Sequence, residues 1–277
     1  MNYQPIQVGE RKWHIQTFGQ GTHCLIALHG FGEDGSVFAP WEPALEKDFR
    51  LIAVDLPFHG RAIDWPLDRF QADDLISLID YLPQYFSCGS YSLIGHSLGG
   101  RLILSCWQML RKRPISIWLL APDGLATRRL GMISWVPAGL RTWLGRHMEK
   151  QAAFWLQLAG IIHKIGMIDA FSMRYLRLHL STPARRRRLM GIWNTLPYFP
   201  INIKSLLLAA QQNKPPIYLA MGDKDELIAW QRLEGLLGQW PEGKLFLLKD
   251  TGHNLINNFD VELLQKKIDL GQSGPID

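Results

Sequence analysis

Short apolar runs alternate with longer segments of helical spacing along most of the chain. The six runs are HCLIALHG, RLIAVDLP, YSLIGHS, ISIWLLAP, PIYLAMGD and KLFLLKD, starting at residues 23, 50, 91, 115, 216 and 244. Apolar positions three or four residues apart predict helices over 36–47, 69–82, 98–112, 229–239 and 260–269. This alternation is typical of a mostly parallel sheet flanked by helices, because parallel strands are joined by helical crossovers. The pattern therefore predicts an α/β fold.

Two segments depart from this alternation. Residues 7–19, QVGERKWHIQTFG, alternate in polarity and predict antiparallel strands at one edge of the sheet. Residues 127–204 contain no clear strand run and carry tryptophan and leucine at helical spacing. They predict a helical insertion, or cap, between two parts of the core, residues 1–126 and 205–277.

The predicted insertion is strongly basic. It contains thirteen arginine and lysine residues but only Glu149 and Asp169 as acids, whereas the whole chain has a formal net charge of +5. Aromatic residues, among them Trp135 and Trp155, lie between the charges. Either the aromatic residues pack the insertion onto the core and the arginines face water, or a basic aromatic surface contacts an anionic membrane or attracts acidic, acyl-bearing substrates. No nucleic-acid-binding motif is present, so no nucleic-acid partner is expected.

The cysteines and the apolar segments bear on location. Cys24, Cys88 and Cys106 are odd in number and have no paired spacing, which predicts small buried residues rather than disulfides or a zinc site. The first residues lack the basic start and apolar segment of a secretory signal, and no apolar run is long enough to span a membrane. We therefore expect a cytoplasmic protein.

A serine follows the third apolar run. The segment Gly95-His96-Ser97-Leu98-Gly99 fits G-x-S-x-G, in which a sharp turn from strand to helix exposes the serine hydroxyl. A tight turn without chemistry is the alternative. Because ligands of parallel sheets bind beyond the carboxyl ends of the strands, the position favours a nucleophile.

A serine nucleophile needs a base and a group that orients the base. His253 follows the last apolar run and is the best candidate base, because it lies downstream of a candidate acid. Asp225 is favoured as the acid, with Asp223 as the alternative. His29 and His96 also lie at strand ends, and we interpret them as structural or pocket-lining residues.

Acyl transfer also needs donors for the developing oxyanion. The backbone N–H of Leu98, at the start of the predicted helix, supplies one, and the N–H of Phe31 in the turn HGFG is the best candidate for the other. Chemistry of this kind requires no metal and no organic cofactor.

The motifs together resemble those of the α/β-hydrolase family. They are HGFGED at 29–34, DLPFHGR at 55–61, GHSLGGR at 95–101, GDKD at 222–225 and GH at 252–253. The resemblance covers nearly the whole chain and implies an α/β-hydrolase fold with a helical cap. It also implies that Ser97 is the nucleophile, Asp225 the acid and His253 the base, with Phe31 and Leu98 forming the oxyanion hole.

The resemblance implies hydrolysis of a carboxylic ester or related acyl substrate through an acyl-enzyme. Carbon-carbon bond cleavage or elimination on a carboxylated substrate, as in the menaquinone-pathway synthase of this fold, is the alternative, and a non-catalytic binding protein is a third. Arg101 is either a carboxylate clamp or a salt-bridge partner, and Phe58 stands where many relatives have glycine. With His29, His96, Trp135 and Trp155, these two residues complete the candidate substrate-binding set.

Overall fold

A computed structural model of the chain describes residues 2–45, 47–67, 70–125, 136–212, 215–228 and 230–272. The chain forms two compact units. Unit 1 consists of Met1–Leu56, Ala72–Arg128 and Phe199–Asp277, and unit 2 of Pro57–Gln71 and Arg129–Tyr198. Unit 2 thus covers most of the segment that the sequence predicts as the insertion. It also includes Pro57–Gln71, which follows the second apolar run, and it ends at Tyr198, six residues before the predicted boundary at 204.

Unit 1 contains a sheet of eight strands. The strands are β1 (Asn2–Val8), β2 (Arg11–Gly19), β3 (His23–Leu28), β4 (Phe49–Asp55), β5 (Ser90–His96), β6 (Ile117–Leu120), β7 (Ile217–Gly222) and β8 (Leu245–Leu248). Their order is β1-β2-β4-β3-β5-β6-β7-β8. β1 and β2 pair antiparallel with each other and β2 with β4, whereas the pairs from β4 to β8 are parallel. The α/β prediction is confirmed, and each of the six apolar runs forms a strand.

The described ranges of the chain contain nine α-helices. Those of unit 1 are α1 (Ala72–Tyr85), α2 (Leu98–Cys106), α7 (Ile203–Gln212), α8 (Glu234–Leu237) and α9 (Val261–Gln272), and those of unit 2 are α3 (Ala138–Lys150), α4 (Ala152–Lys164), α5 (Ala170–Leu180) and α6 (Pro183–Thr195). The segment Gly35–Ala44, within the region predicted as a helix, is a 3-10 helix instead. Pro40 and Pro43 lie inside it and have no N–H to donate, which disfavours a regular α-helix.

Side chains of the strands alternate between the two faces of the sheet. On one face, Leu25, Ala27 and Leu51 belong to a buried core that also contains Leu264 and Ile268 of α9. The strand residues between them are buried as well, since every residue of β3 is buried. Because helices cover both faces of a parallel sheet, its strands can be apolar on both faces, and this is why the strands are continuous apolar runs in the sequence.

Within unit 2, the segment after β4 is bound to α6. Arg187 of α6 donates hydrogen bonds to the carbonyl oxygens of Ile63 (2.8 Å) and Trp65 (3.2 Å). The ring of Phe58 is fully buried and lies against Gly191 of α6, where a Cβ atom would come within 2.3 Å of the ring. Phe58 has φ +68°, a backbone conformation that favours glycine. Its burial against α6 offsets the cost of that conformation.

The prediction that no cysteine forms a disulfide is wrong. Cys24 of β3 and Cys88, just before β5, are joined by a disulfide, and their Cα atoms are 5.8 Å apart. The N–H of Gly89 donates to the carbonyl oxygen of Thr22 at 2.9 Å, so the chain before β5 runs beside the start of β3. Sequence spacing does not show this contact, because sheet pairing brings together residues 64 positions apart. Cys106 is a free, buried thiol as predicted.

Two structural facts bear on location. Within the described ranges, none of the helices combines the length and the apolar character needed to cross a bilayer. Disulfides persist mainly in oxidising compartments, and the Cys24–Cys88 disulfide therefore does not favour the predicted cytoplasmic location.

Candidate active site

Ser97 lies at the turn between β5 and α2. Its φ and ψ are 47° and −110°, outside the regions that L-residues usually occupy. The surrounding backbone holds this conformation: the Ser97 N–H donates to the carbonyl oxygen of Leu120 (2.9 Å), and the Ser97 carbonyl oxygen accepts from the N–H of Asp123 (2.9 Å). Strained backbone of this kind is concentrated at functional sites, where the rest of the fold maintains it.

The glycines around Ser97 let the backbones of strand and helix approach closely. A Cβ atom on Gly99 would lie 2.1 Å from the carbonyl oxygen of Leu28, and one on Gly95 would lie 2.6 Å from the Cα atom of Gly100. The N–H of Gly99 also donates to the carbonyl oxygen of His29 (3.1 Å), joining α2 to the end of β3. The G-x-S-x-G spacing is thus a packing requirement at this turn.

Three side chains from three strand ends meet at Ser97. The Nε2 atom of His253 lies 2.9 Å from the Oγ atom of Ser97, and its Nδ1 atom lies 2.8 Å from the Oδ2 atom of Asp225. Both distances are those of good hydrogen bonds. The structure therefore brings together the three residues that the sequence predicts as nucleophile, base and acid. The His253 side chain is 22% exposed, so solvent reaches this arrangement.

The surroundings of Asp225 keep its carboxylate ionised. Burial by itself raises the pKa of this carboxyl, but hydrogen bonds from His253 and from the N–H groups of Ile228 (2.8 Å) and Leu227 (2.9 Å) hold it below its ordinary value. Asp223 points elsewhere: its Oδ1 atom accepts from the N–H of Thr251 at 3.1 Å, within the turn after β7. Of the two candidate acids, Asp225 is the one in contact with His253.

The predicted oxyanion donors, Leu98 and Phe31, lie on two segments that a backbone hydrogen bond joins. Leu98 is the first residue of α2, and the first N–H groups of a helix have no partner within the helix. Phe31 lies in the turn after β3, next to Gly32, which has φ +90°. The bond between the N–H of Gly99 and His29 holds that turn against the start of α2.

Glu33 is a site residue that the sequence reasoning does not single out. Its Oε2 atom accepts from the N–H of Gly30 (2.7 Å) and lies 3.0 Å from the Nδ1 atom of His96. The Nε2 atom of His96 lies 3.0 Å from the carbonyl oxygen of His253. Glu33 and His96 thus link the turn after β3 to the loop that carries the candidate base. In the sequence, the signal for this role is a glutamate three residues after Gly30 of the HG pair.

His29 and His96 occupy structural positions. His29 is fully buried; its Nε2 atom accepts from the N–H of Leu56 (3.0 Å), and its Nδ1 atom lies 2.8 Å from the carbonyl oxygen of Gly30. Burial lowers the pKa of His29, which agrees with a neutral ring. Because both nitrogens of each ring have protein partners, these contacts support the structural interpretation and not substrate binding.

The remaining described candidates contact residues of their own units. Arg101 of α2 is 8% exposed, and its Nη1 atom is 3.7 Å from the Oδ2 atom of Asp123. Trp155 of α4, in unit 2, donates from its indole N–H to the Nδ1 atom of His147 at 3.0 Å. Phe58 packs against α6 within unit 2, as described above. Trp135 lies outside the described residues.

Comparisons with known proteins agree with this architecture. The profile of the Alpha/beta hydrolase family matches residues 25–263. The chain is 26% identical over 260 residues, 90% of its length, to the dihydrolipoyllysine-residue acetyltransferase component of the acetoin cleaving system of Pseudomonas putida, and it spans only 64% of that protein. It is 28% identical over 251 residues, 87% of its length, to a pimeloyl-[acyl-carrier protein] methyl ester esterase of Nitrosomonas europaea, of which it covers 92%. The N-acyl homoserine lactonase AidH, solved with N-butanoyl homoserine, superposes with a TM-score of 0.64 at 16% identity, with 100% of both chains covered.

Proposed function

The chain belongs to the α/β-hydrolase family, and from this premise we propose that it hydrolyses a carboxylic ester or related acyl substrate through Ser97, His253 and Asp225. The observation that carries the proposal is the unbroken hydrogen-bonded line from the Ser97 hydroxyl through the His253 ring to the Asp225 carboxylate. A serine hydroxyl is a poor nucleophile at neutral pH unless a base removes its proton during attack.

In the first step, the Oγ atom of Ser97 attacks the carbonyl carbon of the substrate, and its proton passes to the Nε2 atom of His253. The buried Asp225 carboxylate accepts the Nδ1–H of the ring, fixes the tautomer and stabilises the imidazolium that forms. Two backbone N–H groups hold the second oxygen of Asp225, so the carboxylate keeps one orientation. His253 then donates the proton to the leaving alcohol, and an acyl-enzyme results.

Negative charge develops on the carbonyl oxygen during attack. The N–H groups of Leu98 and Phe31 are proposed to donate to it, and the start of α2 adds the positive end of a helix dipole. In the second half of the reaction, water attacks the acyl-enzyme, His253 acts as base again and the carboxylic acid is released. The chemistry is supplied by side chains and backbone of unit 1 throughout.

The names of two similar proteins support an ester as the bond that is cleaved. The Nitrosomonas europaea relative is named for a methyl ester, and AidH for a lactone, which is a cyclic ester. Both bonds present a carbonyl carbon with an oxygen leaving group. A serine nucleophile fits the same class, because its attack on that carbon releases the alcohol and gives an acyl-enzyme ester that water can cleave.

The test is labelling by a fluorophosphonate probe, together with turnover of p-nitrophenyl esters of graded chain length. Ser97→Ala is expected to abolish labelling and to lower kcat by about 10⁴-fold or more. Ser105→Ala is the matched control, because Ser105 lies on the same helix and its hydroxyl donates to the carbonyl oxygen of Arg101 (2.9 Å), within that helix. Labelling that persists in Ser97→Ala would exclude Ser97 as the nucleophile. A wild-type protein that neither labels nor turns over any ester would favour the non-catalytic alternative.

Arg101 supports a second candidate function, cleavage or elimination on a carboxylated substrate. Its Nε atom is buried and has no hydrogen-bond partner among the described residues, and its contact with Asp123 is long. Burial lowers the pKa of Arg101, and Asp123 opposes the shift. A desolvated guanidinium with free donors is suited to a carboxylate. In this case Arg101→Gln raises KM for diketone acids about tenfold or more and leaves KM for neutral esters unchanged, whereas the control Arg11→Gln changes neither. Equal effects on both substrate classes would exclude the clamp.

A further inference from the structure

The outer side of α4 in unit 2 is unusual in its distribution of large and small residues. The two residues of α4 that are buried are alanines, Ala152 and Ala159. Phe154 is 53% exposed and Ile161 60% exposed, and Ile165 at the end of the helix is 65% exposed. Packing within a unit normally places the bulky apolar residues inside and the small or polar ones outside. In α4 the most buried positions are occupied by alanine, and these three large apolar residues are exposed instead.

The large exposed apolar residues of α4 form one stripe. Phe154, Ile161 and Ile165 are spaced by seven and four residues, so they share one face of the helix, and the two alanines lie on the opposite face. Met167, just beyond the helix, is 77% exposed and extends the stripe.

Neighbouring helices of unit 2 widen this apolar stripe. Trp143 of α3 is 58% exposed and stacks on the ring of His147, which in turn contacts the ring of Phe154 edge-on, with centroids 6.4 Å apart. On α5, Tyr175 and Leu178 are 38% and 49% exposed. Several large exposed apolar residues on neighbouring helices mark a contact site for another molecule or for a membrane. We refer to these residues of α3, α4 and α5, from Trp143 to Leu178, as the α4 face.

The charges of the same helices are almost all positive. Over Ala138–Leu180 the basic residues are Arg141, Arg146, Lys150, Lys164, Arg174 and Arg177. The acids are Glu149 and Asp169, and both already have partners: Glu149 lies 3.4 Å from the Nη1 atom of Arg187, and Asp169 caps α5 through the N–H of Ser172 (2.8 Å). Arg174 and Arg177 are exposed beside Tyr175 and Leu178. The apolar surface therefore lies in a positive field.

We propose that the α4 face docks on an anionic membrane surface, with the apolar side chains inserted among the lipids and the basic ones against the headgroups. A helix with large apolar residues on one side, flanked by lysine and arginine, binds in the plane of the interface in this way. A second copy of the chain fits less well as the occupant, because it would bring two faces of the same positive charge together. An acidic partner protein would satisfy the arginines but needs apolar pockets for several protruding side chains.

The experiment is sedimentation of the full chain with phosphatidylcholine vesicles and with vesicles that also contain phosphatidylglycerol, at low and at high salt. Wild type is expected to bind the anionic vesicles at low salt, to bind them more weakly at high salt and to bind the neutral vesicles poorly. Arg174→Gln/Arg177→Gln is expected to lower the partition coefficient about 30-fold, from about 1 kcal/mol per basic residue at an anionic surface. Lys249→Gln/Lys266→Gln, with two exposed lysines of unit 1, is the matched control and binds as wild type.

A second pair of variants tests the apolar side chains. Phe154→Ser/Ile161→Ser is expected to lower the partition coefficient at least about tenfold, because two large side chains no longer enter the bilayer. Leu208→Ser/Met109→Ser changes two exposed apolar residues of unit 1 and is expected to bind as wild type. Turnover of a water-soluble ester without vesicles, equal in all variants, shows that the variants fold.

Several results would overturn the proposal. They are negligible binding of wild type to both kinds of vesicle, and binding that is unchanged in Phe154→Ser/Ile161→Ser. A dimer of wild type in size-exclusion chromatography that becomes a monomer in this variant, without vesicle binding, would assign the α4 face to a second copy. Salt-sensitive binding to an acidic carrier protein, again without vesicle binding, would assign it to a protein partner.

Discussion

Replacing Gly99 by alanine is expected to displace Ser97 without changing any group that takes part in the chemistry. Gly99 is two residues after Ser97, and a Cβ atom there would lie 2.1 Å from the carbonyl oxygen and 2.5 Å from the carbonyl carbon of Leu28. Both are backbone atoms of β3, in the middle of the sheet, and no side chain can rotate to relieve the clash. Real Cβ contacts are essentially never shorter than 3.0 Å, so β3 and the start of α2 must separate by about 1 Å.

This displacement acts on the bond between Ser97 and His253. His253 is held from the other side by Asp225 and does not follow α2, so the 2.9 Å hydrogen bond to the Oγ atom of Ser97 lengthens. A misplacement of about 1 Å at a reacting group costs about 10²-fold in rate. Overpacking of the core is expected to cost about 1–3 kcal/mol of the free energy of unfolding as well.

The assay is the rate of fluorophosphonate labelling and the kcat for a p-nitrophenyl ester, measured below the unfolding temperature of the variant. Gly99→Ala is expected to lower both about 100-fold. Gly235→Ala is the matched control in unit 1, since a Cβ atom there has no neighbour within 4 Å. If Gly99→Ala folds and its rate is within about threefold of wild type, the close approach of β3 and α2 does not position the nucleophile, and the reasoning is refuted.

Three further predictions concern the surroundings of the site and the core. Asp225→Asn is expected to lower kcat about 10⁴-fold in the same ester assay. Because the pKa of Asp225 is depressed in the folded state, the free energy of unfolding of wild type falls as the pH drops from about 4 through that pKa. Urea unfolding measured across this pH range should show a smaller decrease for Asp225→Asn. Glu33→Gln is expected to lower kcat about tenfold with KM unchanged, because Gly30 and His96 lose their shared carboxylate, whereas a change in KM alone would exclude a positioning role. Opening the Cys24–Cys88 disulfide, by Cys88→Ser or by reductant, is expected to lower the free energy of unfolding by about 4 kcal/mol, because the disulfide closes a loop of 64 residues. If thiol titration of the unfolded chain without reductant detects three free thiols, the disulfide is contradicted.

The strand pattern and the turn motifs were readable in the sequence because they follow from local requirements. A strand formed by a continuous apolar run has apolar side chains on both faces, so both faces must be buried. Burial on both faces is typical of parallel sheets, so the runs predict parallel strands without knowledge of their order. Gly95 and Gly99 reflect contacts within a few residues of the strand-to-helix turn and with the adjacent strand. Ser97, Asp225 and His253 each follow an apolar run and therefore lie beyond the end of a strand. Parallel strands bring those ends to one edge of the sheet.

Other features depend on residues that only folding brings together. In the folded chain, His253, 28 residues further along, lies against the carboxylate of Asp225, whereas that of Asp223 accepts from the N–H of Thr251. Glu33 gains its position from His96, 63 residues away in the chain. The pairing of Cys24 with Cys88 follows from β3 lying beside β5, which cysteine spacing does not contain.

The sequence by itself therefore determined the fold class, the serine turn and the order of the candidate triad, because burial periodicity and backbone sterics are properties of neighbouring residues. The tertiary structure decided the hydrogen bonds of the site, the disulfide and the outward direction of the bulky residues of α4. A helix of apolar composition has two faces, and the choice of the buried one depends on what packs against it. In α4 the most buried residues are two alanines, and Phe154 and Ile161 are at the surface.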